Sequence, residues 1–212
     1  MATATTERHP ATVLPATGAN GHAPRRPLIH DELLDALMRE EGKAEIINGR
    51  IVRFDMTGHK PTKAAGRIYF TLMLWQQQTG AAGDPLTDGA AFLCRLPHRQ
   101  SFSPDAAYYT GAPAGMKFLP TTPVFVAEVR SEGDYGAAME AELEAKRADY
   151  FACETEVVWD VDLLADTDAP VVRKYTKAGG AQSPVAVYKR GEVADAEPAV
   201  PGFTMPADDL FT

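Results

Sequence analysis

The run Val124-Phe125-Val126-Ala127-Glu128-Val129-Arg130 constrains this chain more than any other segment. Its β-branched and aromatic residues favour an extended strand, and apolar side chains on both faces mark that strand as buried within a sheet. Alternation puts Val124, Val126, Glu128 and Arg130 on one face. A carboxylate there must meet a cation or a hydrogen-bond donor, because an unpaired charge out of water is costly. An ion pair with Arg130 or with a lysine satisfies Glu128 without any further purpose; a catalytic or metal site uses it.

The patterns flanking this run point to a mixed α/β fold. Ile29, Leu33, Leu34, Leu37 and Met38 recur at helical spacing from Leu28 up to Gly42. Ala44 to Phe54 reads as two short strands around Asn48-Gly49, a dipeptide that tolerates the positive φ of a tight hairpin. A second helix runs from Pro61 to Thr79, with Ile68, Leu72 and Trp75 on one face, and stops at Gly80. Strand-like runs follow at Ala90 to Leu96, Asp105 to Thr110 and Val124 to Arg130, then a helix over about Gly136 to Cys153 and a strand over Glu156 to Val161. Val171 to Tyr175 and Val185 to Tyr188 form a closing hairpin. The core order is therefore helix, three strands, helix, strand: a mixed β-sheet with flanking helices and a hairpin added at each end.

At 212 residues the chain suits one domain plus a tail. Residues 1–27, rich in Ala, Thr, Pro and Gly with no apolar periodicity, are expected to be that flexible tail, and 28–212 the domain. A formal charge of −8 excludes a grip on nucleic acid through overall positive charge, so a DNA partner must meet a local patch. Between positions 50 and 67, Arg50, Arg53, Lys60, Lys63 and Arg67 face only Asp55, a balance of +4 that suits a phosphate backbone. Residues 132–166 carry eleven acids against Lys146 and Arg147, a balance of −9 expected to repel DNA. The two cysteines, Cys94 and Cys153, are too few for a disulfide scaffold or a four-thiolate zinc site and suit a reducing cytoplasm. No window approaches the roughly 20 apolar residues of a membrane span, and no signal-peptide pattern opens the chain. A cytoplasmic protein without a membrane partner is expected.

Asp105 follows Pro104 at the start of the strand before the Glu128 run. Such an Asp often serves only as a turn or strand-start residue. One acid from each of two neighbouring strands nevertheless suits Mg²⁺, which takes one or two carboxylates and completes its shell with water and phosphate oxygens. In the helix after Glu128, Met139, Leu143, Lys146, Tyr150 and Cys153 share one face. Lys146 thus falls within the stripe that packs on the sheet, where an ammonium must find a carboxylate or snorkel to the edge. It is expected to reach Glu128 or Asp105, while Arg147, on the flank, is expected to be solvated. Two acids and a lysine suit phosphodiester hydrolysis: the acids hold a metal that activates water, and the lysine stabilises the nucleophile or the charge building on phosphorus. Tyr108, Tyr109 and Phe118 near this mouth suit either base stacking or core packing.

The stretch from Ala44-Glu45-Ile46-Ile47-Asn48-Gly49 through His59, Pro104-Asp105, Glu128-Val129-Arg130-Ser131, Lys146 with Tyr150, and Val158-Trp159-Asp160-Val161-Asp162 to Pro201-Gly202-Phe203 resembles the Uma-two family. That family consists of restriction-endonuclease-like proteins of the PD-(D/E)XK nuclease superfamily, whose core order is similar to the order above. The resemblance implies an endonuclease hydrolysing DNA with Mg²⁺, Mn²⁺ being able to substitute. It implies Asp105 and Glu128 as metal ligands and Lys146 as catalytic lysine, supplied by the helix after the second acid. The superfamily pattern expects lysine two places after that acid; here Arg130 stands there, a planar, permanent cation in an assisting role. Glu45 resembles the acid of the family's hairpin, an additional metal or water-positioning group, and Asn48 stands where the family often has Asp. His59, placed before the second helix, lies in a segment similar to the family's histidine-containing loop and joins Arg50, Arg53, Lys60, Lys63 and Arg67 as a phosphate contact, a general base or a surface residue. Two alternatives keep the fold: an inactive binding or assembly module whose charges form a structural network, and a phosphodiesterase acting on RNA or small nucleotides. The sequence leaves the oligomeric state open; a homodimer would let a single-strand cutter act on both strands.

Overall fold

The computed structural model describes residues 31–164 and 170–211, so the expected tail over 1–27 lies outside the described residues. Helix α1 (Asp31–Leu37) leads into a hairpin of β1 (Ala44–Ile47) and β2 (Arg50–Arg53). Asn48 and Gly49 turn it with φ of 51° and 68°, the left-handed pair that a two-residue hairpin requires. Leu33, Leu34 and Leu37 pack on Ala44 and Ile46, which sends Glu45 to the opposite side of the ribbon.

Helix α2 (His59–Thr79) follows and ends at Gly80 with φ 67°. Then come β3 (Asp84–Thr87), β4 (Phe92–Leu93), β5 (Ser101–Phe102), β6 (Ala106–Tyr109), β7 (Phe125–Val129), α3 (Ala137–Ala152) and β8 (Val157–Asp162). The described chain finishes with β9 (Val171–Thr176), β10 (Ala186–Tyr188), the hairpin β11 (Val193–Asp195) and β12 (Thr204–Pro206), and a 3-10 turn at Ala207–Leu210.

Six strands build the central sheet in the order β10-β9-β8-β7-β6-β3. Only β7 and β8 are parallel, joined through α3; the other neighbours are antiparallel. On one face α2 lays Ala64, Ile68 and Leu72 against Phe125, Ala127 and Trp159, with Phe203 and Met205 of the C-terminal hairpin in the same core. On the other face Tyr150 and Phe151 of α3 cover Val126 and Val158. The sheet is thus a middle layer, and the alternation along β7 points Glu128 at α3. Among the described residues no helix is long and apolar enough to cross a membrane.

The expected core order holds with one strand reassigned. The run Ala90 to Leu96 does not join the central sheet; Phe92 and Leu93 pair with Phe102 and Ser101 in a separate ribbon. The first of the three core strands is Asp84–Thr87, the edge strand beside β6. Pro85 cannot donate to a ladder, which suits an edge and masks the strand in the sequence. His59 opens α2 rather than preceding it, and its side chain is exposed. Tyr108 and Tyr109 are buried, which decides for core packing over base stacking. The surface assigned to residues 132–166 needs a similar correction. Arg147 is 6% exposed rather than solvated, and Asp149, Asp160 and Asp162 are buried in ion pairs with arginines.

Candidate active site

Antiparallel pairing of β6 with β7 brings the start of β6 beside the end of β7, so Asp105 and Glu128 stand at one mouth of the sheet. Asp105 Oδ2 accepts the backbone N–H of Val129 at 2.7 Å, which locks the carboxylate against the neighbouring strand. Its Oδ1 accepts Lys43 Nζ at 2.5 Å, and the same ammonium lies 3.4 Å from Asp88. Glu128 Oε1 accepts the Tyr150 hydroxyl at 2.6 Å and sits 2.9 Å from Lys146 Nζ.

Lys146 reaches a second acid as well, with Nζ 3.2 Å from Glu45 Oε1. Glu45 is fully buried; it also accepts the Ser103 N–H at 3.1 Å and a hydrogen bond from Arg99. Arg99 in turn donates to Asp149 at 2.8 Å, an acid that His98 approaches to 2.7 Å. The Phe54 ring lies 5.7 Å from Lys146 Nζ and forms an apolar rim.

The two acids of the mouth are pulled in opposite directions. Burial, together with the nearby Glu128 charge, lifts the Asp105 carboxyl above its ordinary range against the pull of Lys43. Burial also acts on Glu128, but the charges of Lys146 and Lys43 and the Tyr150 hydrogen bond outweigh it, leaving that carboxyl below its ordinary range. Burial opposes the charge of Lys146, yet Glu128 and Glu45 win and raise its pKa; Lys43 is raised in the same way by Glu128 and Asp105.

A family model described as "Putative restriction endonuclease", named Uma2, matches residues 30–208. The chain belongs to the Uma2 family. The fold is also that of a solved structure, described as a putative nuclease belonging to DUF820 from Anabaena variabilis. That protein is 14% identical, with a TM-score of 0.63, and the match covers 84% of this chain and 97% of the other. No curated protein matches the chain.

Of the site residues expected for this Uma2 protein, the fold brings Asp105, Glu128, Lys146 and Glu45 together. Arg130 is engaged elsewhere: its fork makes two 2.6 Å bonds to Asp160 and also binds Glu140. The basic cluster divides. Arg50 and Arg53, three apart on β2, point to opposite faces, and Arg53 pairs with Glu40 at 2.6 Å. Lys60, Lys63 and Arg67 share one side of α2; Lys60 and Lys63 are exposed, and Arg67 donates to the Asp209 carbonyl. Sequence reasoning missed Lys43 and Arg99. Lys43 had a signal, because it lies two residues before Glu45 and so shares its side of the extended chain.

Among the described residues, no group of three or more His, Cys, Asp or Glu side chains is arranged to hold an ion. Asp105 and Glu128 offer two carboxylates, a donor set that fits Mg²⁺ with a shell completed by water and phosphate oxygens and does not fit a closed zinc site.

Proposed function

We propose that this protein is a Mg²⁺-dependent endonuclease that hydrolyses phosphodiester bonds of DNA. One observation carries the reading: carboxylates from two adjacent strands and the ammonium of Lys146 converge at one sheet mouth, with Lys146 2.9 Å from Glu128. When bound, Mg²⁺ supplies positive charge at the scissile phosphate and favours ionisation of the attacking water.

The chain's own residues have distinct parts. Asp105 and Glu128 hold the ion, their orientations set by the Val129 N–H and the Tyr150 hydroxyl. Lys146 donates to the nucleophile or to the phosphoryl oxygen on which charge builds. Glu45, buried and bonded to Lys146, is a positioning residue that holds the ammonium in reach. Exposed Arg50, His59, Lys60 and Lys63 contact the phosphate backbone, with Arg53 and Arg67 at its margins.

The test is nicking of plasmid DNA by purified protein with Mg²⁺ or Mn²⁺, alongside Asp105→Ala, Glu128→Ala and Lys146→Ala. Nicking by wild type that each substitution abolishes supports the assignment. Equal nicking by all four proteins refutes it.

A second reading has its own support, since Lys43 already neutralises Asp105 and Lys146 already neutralises Glu128. In that reading the charges are a structural network in an inactive module. Mn²⁺ titration separates the two, because binding to the folded state raises the thermal midpoint by mass action and an inert network gives no rise.

A further inference from the structure

The ammonium of Lys43 is shared between two acids of unequal burial. Nζ lies 2.5 Å from Asp105 Oδ1 and 3.4 Å from Asp88 Oδ1. Asp105 is buried, and its Oδ2 is tied to the Val129 N–H at 2.7 Å, so the carboxylate is fixed and Oδ1 is its exchangeable oxygen. Asp88 directly follows the edge strand β3, and its side chain is 44% exposed. The Gly89 N–H donates to Asp88 Oδ1 at 2.9 Å and holds that acid in place.

The two ammoniums of the mouth differ in whether they have anywhere to go. Lys146 stands between Glu128 at 2.9 Å and the fully buried Glu45 at 3.2 Å, so either contact keeps its charge inside. Lys43 stands between an inner acid and an outer one. Its backbone is pinned, since its carbonyl accepts the Phe54 N–H at 3.0 Å, but a flexible stem carries the ammonium. A charged N–H···O contact settles at about 2.8 Å, so a shift of about 0.6 Å toward Asp88 completes the second pair.

We propose, on the reading of Asp105 and Glu128 as Mg²⁺ ligands, that Lys43 is a positioning residue whose ammonium passes from Asp105 Oδ1 to Asp88 when a divalent cation takes that oxygen. Until then Lys43 offsets a buried charge that is costly when unpaired. A cation arriving beside Oδ1 repels the ammonium, and Asp88 keeps it paired after it has moved. A monovalent ion gains little by replacing an ammonium of the same charge, whereas a divalent ion brings twice as much, so the exchange selects for divalent cations. Lys43 therefore lowers apparent affinity, because the oxygen is available only in the fraction of molecules whose ammonium has left it. Asp88 raises that fraction by supplying an acceptor.

The experiment titrates Mn²⁺ into full-length protein and reads the free ion by electron paramagnetic resonance, which gives a dissociation constant independent of nuclease activity. Wild type should bind Mn²⁺, and Asp105→Ala should lose that binding. Lys43→Met should bind at least about 10-fold more tightly than wild type, since no ammonium has to leave. If Lys43→Met does not fold by circular dichroism, Lys43→Gln, which keeps a donor for Asp105, takes its place with the same expectation. Asp88→Asn, a change at an exposed side chain, should weaken binding by about threefold to 10-fold. In the Lys43→Met background the same Asp88→Asn change should have less than about a twofold effect, because the two residues act through one contact. Equal affinity of wild type and the Lys43 variant, or an Asp88→Asn effect of the same size in both backgrounds, overturns the hand-over and leaves the metal site standing. Binding absent from both wild type and the Lys43 variant, or binding that survives Asp105→Ala, removes the metal site and the hand-over with it.

Discussion

Two charge networks share the α3 face of the sheet, and they are built from different cations. Around Asp105 and Glu128 the cations are Lys43 and Lys146; around Asp160 and Asp162 they are Arg130, Arg147 and Arg173. An arginine fork fixes direction as well as charge, and Arg130 meets Asp160 through two parallel 2.6 Å bonds. Arg147 adds a guanidinium 4.2 Å from the centre of the Tyr175 ring. A lysine is a compact charge with rotatable donors, so its carboxylates can change partners at little geometric expense. The arginine network therefore works as scaffold and the lysine network as the adjustable half, although the two lie one strand apart.

The largest expected separation of the two comes from Lys146→Met against wild type. Nicking should fall by about 10²-fold to 10³-fold, the usual effect of removing one group that stabilises developing charge. The check is initial nicking rate normalised to folded protein by circular dichroism. Arg130→Met should do the reverse. Its side chain is 4% exposed and Asp160 5%, so breaking the pair should lower stability by about 3 kcal/mol. That corresponds to roughly 6–12 °C in the thermal midpoint for a chain of this size. Nicking per folded molecule should be unchanged; a loss matching that of Lys146→Met would put Arg130 in the catalytic group.

The smallest effect concerns acid. Burial pushes the Asp162 carboxyl up, but the Tyr135 hydroxyl at 2.9 Å and Arg173 at 3.0 Å outweigh it and hold the group below its ordinary range. Because the folded pKa is depressed, this stabilisation is complete above the unfolded value of about 3.9 and disappears as pH falls through the folded value. Thermal midpoints of wild type and Asp162→Asn should therefore differ most near neutrality and converge below about pH 4. A constant gap across that window would remove Asp162 from the acid response.

The sequence made one half of this contrast far more legible than the other. Glu128 and Lys146 each interrupt an apolar pattern of clear period, so each announces a buried charge that needs a partner. Asp105 stood at a strand start that suits a turn residue equally well, and Glu45 became readable only through the family resemblance. Lys43 lies in the irregular segment before β1, and its partner Asp105 is 62 residues away, a separation that no local pattern spans. Arg147 misled for a different reason. Its position on α3 lies off the apolar stripe, but the face of β8 beneath it carries Asp160, which draws the guanidinium inward. The edge strand Asp84–Thr87 was hidden by the proline that its place in the sheet allows.

Lys146 serves one network and Arg147 the other, and they are consecutive on α3, turned about 100° apart around its axis. A single-residue deletion in the first two turns of that helix would carry the arginine toward Glu128 and swing the lysine away from it, and an insertion there would carry the lysine toward Asp160 and leave Glu128 without its ammonium. The helix can therefore drift in composition on its outer side while its length stays frozen, and lineages of this chain should gain or lose residues in the flanking loops instead.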